Sequence, residues 1–189
     1  MPNITENQIK QEAEKHLLRC RPGDWNHAQR VVYWIKQLGK DREDILLIIT
    51  AGYIHDIGWE GLITKEKITL DELLELEYSA NANSEIFATK FLKGLYFSSE
   101  NINTINRLIR AADKHQSSQE DEAIIVDADS LSKLTIDHLK EKFEKSEWIK
   151  MHDLWAGKFL ERVKTEKAKL LYPKLLTELR DSIEKELSV

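Results

Sequence analysis

Cysteine, proline and glycine are all scarce in this 189-residue chain, and each scarcity excludes something. With one cysteine, Cys20, no internal disulfide can form. A chain of this length buries a core without such staples, and a reducing compartment is the expected setting. Three prolines and seven glycines leave few forced turns. Between them the apolar positions recur at about 3.6 residues, so the expected fold is all-α, a single-domain helical bundle. No apolar run reaches the ~18 residues that a membrane span requires. The opening Met-Pro-Asn-Ile-Thr-Glu lacks the basic-then-apolar pattern of a leader, so a cytoplasmic location with no membrane partner is expected. A basic excess is also lacking. The net charge of -5 disfavours nucleic-acid backbone binding, which relies on a basic patch to displace counterions.

What is present is a succession of capped helices. The first is expected over Glu6 to Arg19, ending before Arg21-Pro-Gly23. Asp24 is a candidate N-cap for a second helix carrying His27, Arg30, Val31 and Trp34 and ending near Leu38-Gly39. Asp41 is a candidate cap for a third, which climbs through Ile45–Ile54 to His55-Asp56. A loop is expected over Gly58 to Ile68, then a capping box at Thr69-Leu-Asp-Glu72. Leu73 to Leu92 reads as two helices or one bent one. Ser98 or Ser99 caps a helix running to His115, and another begins near Asp121 and carries Asp129. The charged tail has Met151, Trp155, Phe159 and Val163 at helical spacing, then Leu171, Leu175, Leu179, Ile183 and Leu187, with Pro173 expected to interrupt or bend it. That stripe is expected to pack on the chain's own core, with a homodimer contact as the alternative.

The apolar run 45–54 should be buried, and it closes with an imidazole and a carboxylate side by side, His55 and Asp56. Such groups are costly to bury unless paired, hydrogen-bonded or bound to a metal. Upstream stands Asp24-Trp-Asn-His27-Ala-Gln-Arg30, and downstream Asp127-Ala-Asp129-Ser-Leu131. The order His, His-Asp, Asp resembles the HD-domain superfamily of metal-dependent phosphohydrolases, over about residues 20–135, with C-terminal helices over about 148–189. The resemblance implies that His27, His55, Asp56 and Asp129 bind one divalent ion, drawn from Mn, Fe, Co, Ni, Zn and Mg. Two imidazoles and two carboxylates leave about two octahedral positions for water and substrate. Asp129 is preferred to Asp127 by the same resemblance. Two residues apart on a helix point about 200° away from one another, so Asp127 is expected to pack or cap.

The implied reaction is hydrolysis of a small phosphorylated substrate, a phosphate ester or anhydride such as a nucleotide. Asp56 would orient the attacking water, and Arg30, Lys114 or His115 would take up phosphoryl charge. Arg30, one turn from His27, could instead hold an acidic residue or make a surface salt bridge. Glu60 is a candidate general acid or base, although its distance from the dyad is longer than in the catalytic acids of related hydrolases. Lys65 and Lys133 could meet a phosphate, and Trp59 could stack on a base. His16, His138 and His152 read as satisfied polar residues. Ser84 or a neighbour stands where two-metal relatives carry a histidine, so one ion is expected. A di-iron oxygenase and a non-catalytic metal or nucleotide sensor are the alternatives.

Overall fold

The computed structural model describes residues 4–63 and 65–188, without the side chains of Phe159 and Leu160. The described residues form helices α1 (Glu6–Leu17), α2 (Asp24–Leu38), α3 (Ile45–Ile54), α4 (Leu70–Gly94), α5 (Ser99–Lys114), α6 (Glu120–Ser132), α7 (Ile136–Lys142), α8 (Trp148–Arg162) and α9 (Glu166–Leu187), with no strand among them. A single isolated bridge joins Ile68 to Phe143. No helix among the described residues is long and apolar enough to cross a membrane.

Two apolar clusters make up most of the interior. The first gathers α1, α2, α3 and α5 around Ile35, Ile48, Ile54, Ile105 and Leu108. The second gathers α7, α8 and α9 around Leu139, Met151, Trp155, Tyr172 and Ile183. Helix α6 joins them, giving Ile124, Ile125 and Ala128 to the first and Leu131 to the second. It is therefore buried along nearly its whole length.

Local chemistry explains most boundaries. Thr69 and Glu72 form the expected capping box of α4, and Ser98 caps α5. The cap of α2 is Gly23, not Asp24. At φ 76 this position suits glycine, and a Cβ there would meet the Cβ of Glu141 at 2.6 Å. Asp24 is instead the first helical residue, its carboxylate turned inward to Arg21 and Lys142. Asp44 precedes α3 in place of Asp41, and it gives its oxygens to Arg42 rather than capping.

Residues 73–92 lie in one helix, not two. Within it the small residues Ala80 and Ser84 pack against Gly58, where a Cβ would collide with the Ala80 carbonyl. Pro173 does not interrupt α9. The carbonyl that it leaves without a donor belongs to exposed Lys169, where water serves. Leu179 and Ile183 are buried in the second cluster, with Leu171 and Leu175 packed against it. Leu187 is largely exposed, and the Phe159 side chain lies outside the described residues.

The N-terminus of α6 is fixed by Glu122, whose Oε2 accepts from the Ser118 and Gln119 backbone N–H groups and whose Oε1 accepts from Arg107 of α5. Burial opposes its charge, but the Ser118 and Arg107 bonds override that and hold its carboxyl down at about 2. A depressed carboxyl stabilises the fold above its unfolded value and loses that contribution as pH falls through the folded one. Glu122→Gln should therefore cost about 1–2 kcal/mol at pH 7. The gap should narrow between pH 4.5 and about 2, read as urea midpoints of the two proteins at pH 7 and at the acid end.

A candidate metal centre at the meeting of α2, α3 and α6

On α2 the buried positions Asp24, His27, Val31 and Ile35 form one stripe, so His27 faces the interior because its neighbours a turn away do. Gly52 lets α3 approach that stripe closely, since a Cβ there would run into Ile35. The end of α3 thus brings His55 against His27, their Nε2 atoms 3.2 Å apart. Asp129 comes from buried α6, with Oδ1 3.1 Å from His27 Nε2 and 3.6 Å from His55 Nε2. Asp56 Oδ2 lies 3.7 and 3.6 Å from the same two nitrogens.

The nitrogens are oriented as ligands. His55 Nδ1–H donates to the Gly52 carbonyl at 3.0 Å, which leaves Nε2 as the lone-pair nitrogen of the neutral ring. Ser132 Oγ commits its hydrogen to the Asp129 carbonyl at 2.7 Å and so accepts from His27 Nδ1–H at 3.2 Å. In their neutral forms both imidazoles turn Nε2 to each other and to two carboxylates, so the centre takes positive charge, either as a proton on His55 Nε2 or as a metal ion. Donors about 2.1 Å from one ion stand about 3.0–3.4 Å apart, close to the separations found. Among the described residues His27, His55 and Asp56 form the one group of three such donors that converge within 4.8 Å. Asp129 completes the set through its contacts to both rings.

Charge in the cluster follows from its neighbours. Burial lowers His27 well below its ordinary value, helped by Lys142, so its ring is neutral. Burial also works against a charged His55, but Asp56 and Asp129 override it and raise the ring to about 9. The cluster thus draws positive charge to His55 Nε2, a demand that a bound cation would also meet. Burial opposes the carboxylates too. Arg21 nevertheless holds Asp56 well below the usual range, and Lys133 does the same for Asp129.

Of the other expected residues, some are here and some are elsewhere. Lys133 Nζ donates to Asp129 Oδ2 at 2.6 Å. His115 closes α5 in the left-handed conformation, φ 51, which puts its ring over the cluster. Its Nδ1 is buried without a hydrogen-bond partner, 3.8 Å from Asp129 Oδ2. Burial, with Lys133 adding to it, lowers this ring to about 3, so it is neutral and not a helix-end cation. Lys114 lines the same cavity, of about 460 Å³, which opens onto His55, Asp56 and Asp129.

Arg30 does not line that cavity. It pairs with Glu141 at 2.7 Å and touches His138 Nδ1 at 3.3 Å, so it braces the ring behind His27. Glu60 is turned away by the glycine that follows it, to His16 at 2.7 Å and Arg19 at 2.5 Å. Lys65 pairs with Glu72, away from the cavity. Trp59 borders the cavity, but the Arg21 guanidinium covers its face at 4.0 Å.

Four residues at the site carry no motif. Arg21 reaches Asp56 at 2.5 Å, and buried Lys142 lies 3.8 Å from the same oxygen while also holding Asp24. Asp113 lines the cavity, and burial raises its carboxyl to about 7. His138 packs edge-on against His27, ring centres 4.9 Å apart. Their roles come from tertiary contacts that no local pattern announces. Compared with protein-family models, curated proteins and solved structures, the chain has no match.

Asp127 faces away, its two oxygens accepting the backbone N–H groups of Lys164 at 2.9 Å and Thr165 at 2.6 Å. Asp129→Ala should therefore lose bound metal while remaining folded. Asp127→Ala should keep the metal and lose about 2–4 kcal/mol, because two N–H groups lose a charged acceptor. Metal content by mass spectrometry and urea denaturation of both variants check this; metal lost from the Asp127 variant alone would reverse the assignment.

Proposed function

We propose that the chain is a metal-dependent phosphohydrolase of the HD-domain type, acting on a small phosphate ester or anhydride. One observation carries this reading: two imidazoles with their proton positions fixed and two ionised carboxylates converge at the wall of a cavity that is otherwise rich in cations. His27, His55, Asp56 and Asp129 would hold the ion, and imidazole donors favour a transition metal over magnesium. A divalent ion bound there supplies Lewis acidity to a phosphoryl oxygen and lowers the pKa of water.

The chain's own groups supply the rest. Lys114 and Lys133 bring positive charge to the oxygens of a phosphoryl group. Neutral His115 has a ring N–H to donate to it. Asp113, with a carboxyl near neutrality, can give or take a proton in the same space. The resemblance in the order of His27, His55-Asp56 and Asp129 supports the same reaction class. By the resemblance, Ser84 or a neighbour stands where a second-metal histidine is expected, and Ser84 itself only donates its hydroxyl to the Ala80 carbonyl, which favours one ion over a di-iron oxygenase.

The test is a screen of nucleotides, sugar phosphates, simple phosphate esters and pyrophosphates against protein loaded with each divalent ion. Phosphate release that chelation abolishes, and that Asp129→Ala lacks, is expected. Two irons per chain would instead indicate the oxygenase, and bound metal with no turnover a sensor. Because the ion ties three helices, its verified removal should lower Tm by about 5–10 °C at ion concentrations near 100 times Kd. An unchanged Tm would show that the ion does not tie them.

A further inference from the structure

The cavity beside the cluster has walls that change character in step. On α4 the lining residues are Leu70, Leu73 and Leu74, then Glu77 and Asn81. On α8 they are Met151, Leu154 and Trp155, then Lys158 and Arg162. Each series falls at positions i, i+3, i+4, i+7 and i+11 and so lies on one face of its helix. The first part of each is apolar, the second polar or charged. Glu77 and Asn81 of one wall and Lys158 and Arg162 of the other line the same cavity as His55, Asp56 and Asp129, and Arg162 lies within electrostatic reach of both Glu77 and Asp129. Ile68 and Phe143, joined by the isolated bridge, close the apolar part. Leu74 is 52% exposed, and Leu70, Leu73 and Leu154 are only partly buried. Apolar side chains are thus left open to a cavity whose other end is ionic.

Building on the phosphohydrolase reading, we propose that the substrate is a phosphate monoester with an apolar alkyl or aryl body, its phosphate at the metal cluster and its hydrocarbon between α4 and α8. The cavity, of about 460 Å³, is of a size that suits a small ligand. A sugar or a nucleobase would set its polar groups against leucines and methionine, unpaired. In the reaction the ester P–O bond breaks and water oxygen bonds to phosphorus. One water proton goes to the departing alkoxide, giving the alcohol, and the other stays on inorganic phosphate.

The experiment measures binding of n-alkylphosphonates, methyl to octyl, to metal-loaded protein by calorimetry; these compounds keep the charge and cannot be hydrolysed. Affinity should rise about three- to fourfold per methylene until the apolar part is full. Leu74→Asn and Leu154→Asn should flatten that slope, and Leu74→Trp, which narrows the cavity, should end the rise at a shorter chain. A flat series in the wild type, or an undiminished slope in both asparagine variants, overturns the proposal. The two readings fail separately. A chain-length slope without hydrolysis of the matching alkyl phosphates keeps the apolar site and removes the hydrolase, whereas hydrolysis with no slope does the reverse.

Discussion

Helix α6 is enclosed on all sides, yet it carries two carboxylates two residues apart. Both side chains are buried, although Asp129 borders the cavity, and a buried carboxylate without partners is prohibitively unstable. Because they point in nearly opposite directions, their partners lie in opposite halves of the molecule. Asp127 takes the first N–H groups around α9 and so fixes where the C-terminal helix begins. Asp129 takes Lys133 and the two histidines. One buried helix therefore sets both the packing of the second apolar cluster and the position of the candidate metal.

The same logic explains the C-terminal helices, which lie outside the stretch that resembles a known family. His138 of α7 packs edge-on against His27 from behind, and Trp155 of α8 packs edge-on against His138 at 5.6 Å. Arg30 and Glu141 hold His138 from the solvent side. His27 is thus supported by a wall of rings built from the second core, and Lys142 of α7 enters the buried charge network at Asp24. The helices that back His27 also line the cavity beside it.

What the sequence disclosed and what it hid divide along a physical line. His55 and Asp56 stood out because polar groups that close an apolar run must have a reason to be there, whereas His27 and Asp129 were picked out by the resemblance, and the fold brings all four together. Thr69 and Ser98 were legible because caps are local chemistry. Arg30 satisfied the helical phase of His27, yet its partner Glu141 arrives from 111 residues away, and no local rule names it. Glu60 was close to the dyad in sequence but was sent outward by the turn at Gly61, φ 79. The small residues within α4 suggested a break because their cause, the close approach of Gly58, is tertiary. Arg21, Lys142 and Asp113 stand in ordinary charged surroundings, and only the fold gives them a site.

Charge balance links these parts to the reaction class. With both imidazoles neutral, as metal ligation requires, the cations Arg21, Lys133 and Lys142 match the anions Asp24, Asp56 and Asp129, Arg21 and Lys142 pairing with Asp24 and Asp56 and Lys133 with Asp129. A buried network of this kind adds little net stability, but losing one member strands its partner. Such a network fixes position more than it adds stability. A divalent ion added to a balanced cluster leaves it with two positive charges in a low-dielectric site, and these favour an anion of two negative charges. A phosphate monoester carries that charge near neutrality, whereas a diester carries half of it. On the proposed reading, the balance of the buried network, more than any single residue, would make a monoester the better electrostatic match to this site.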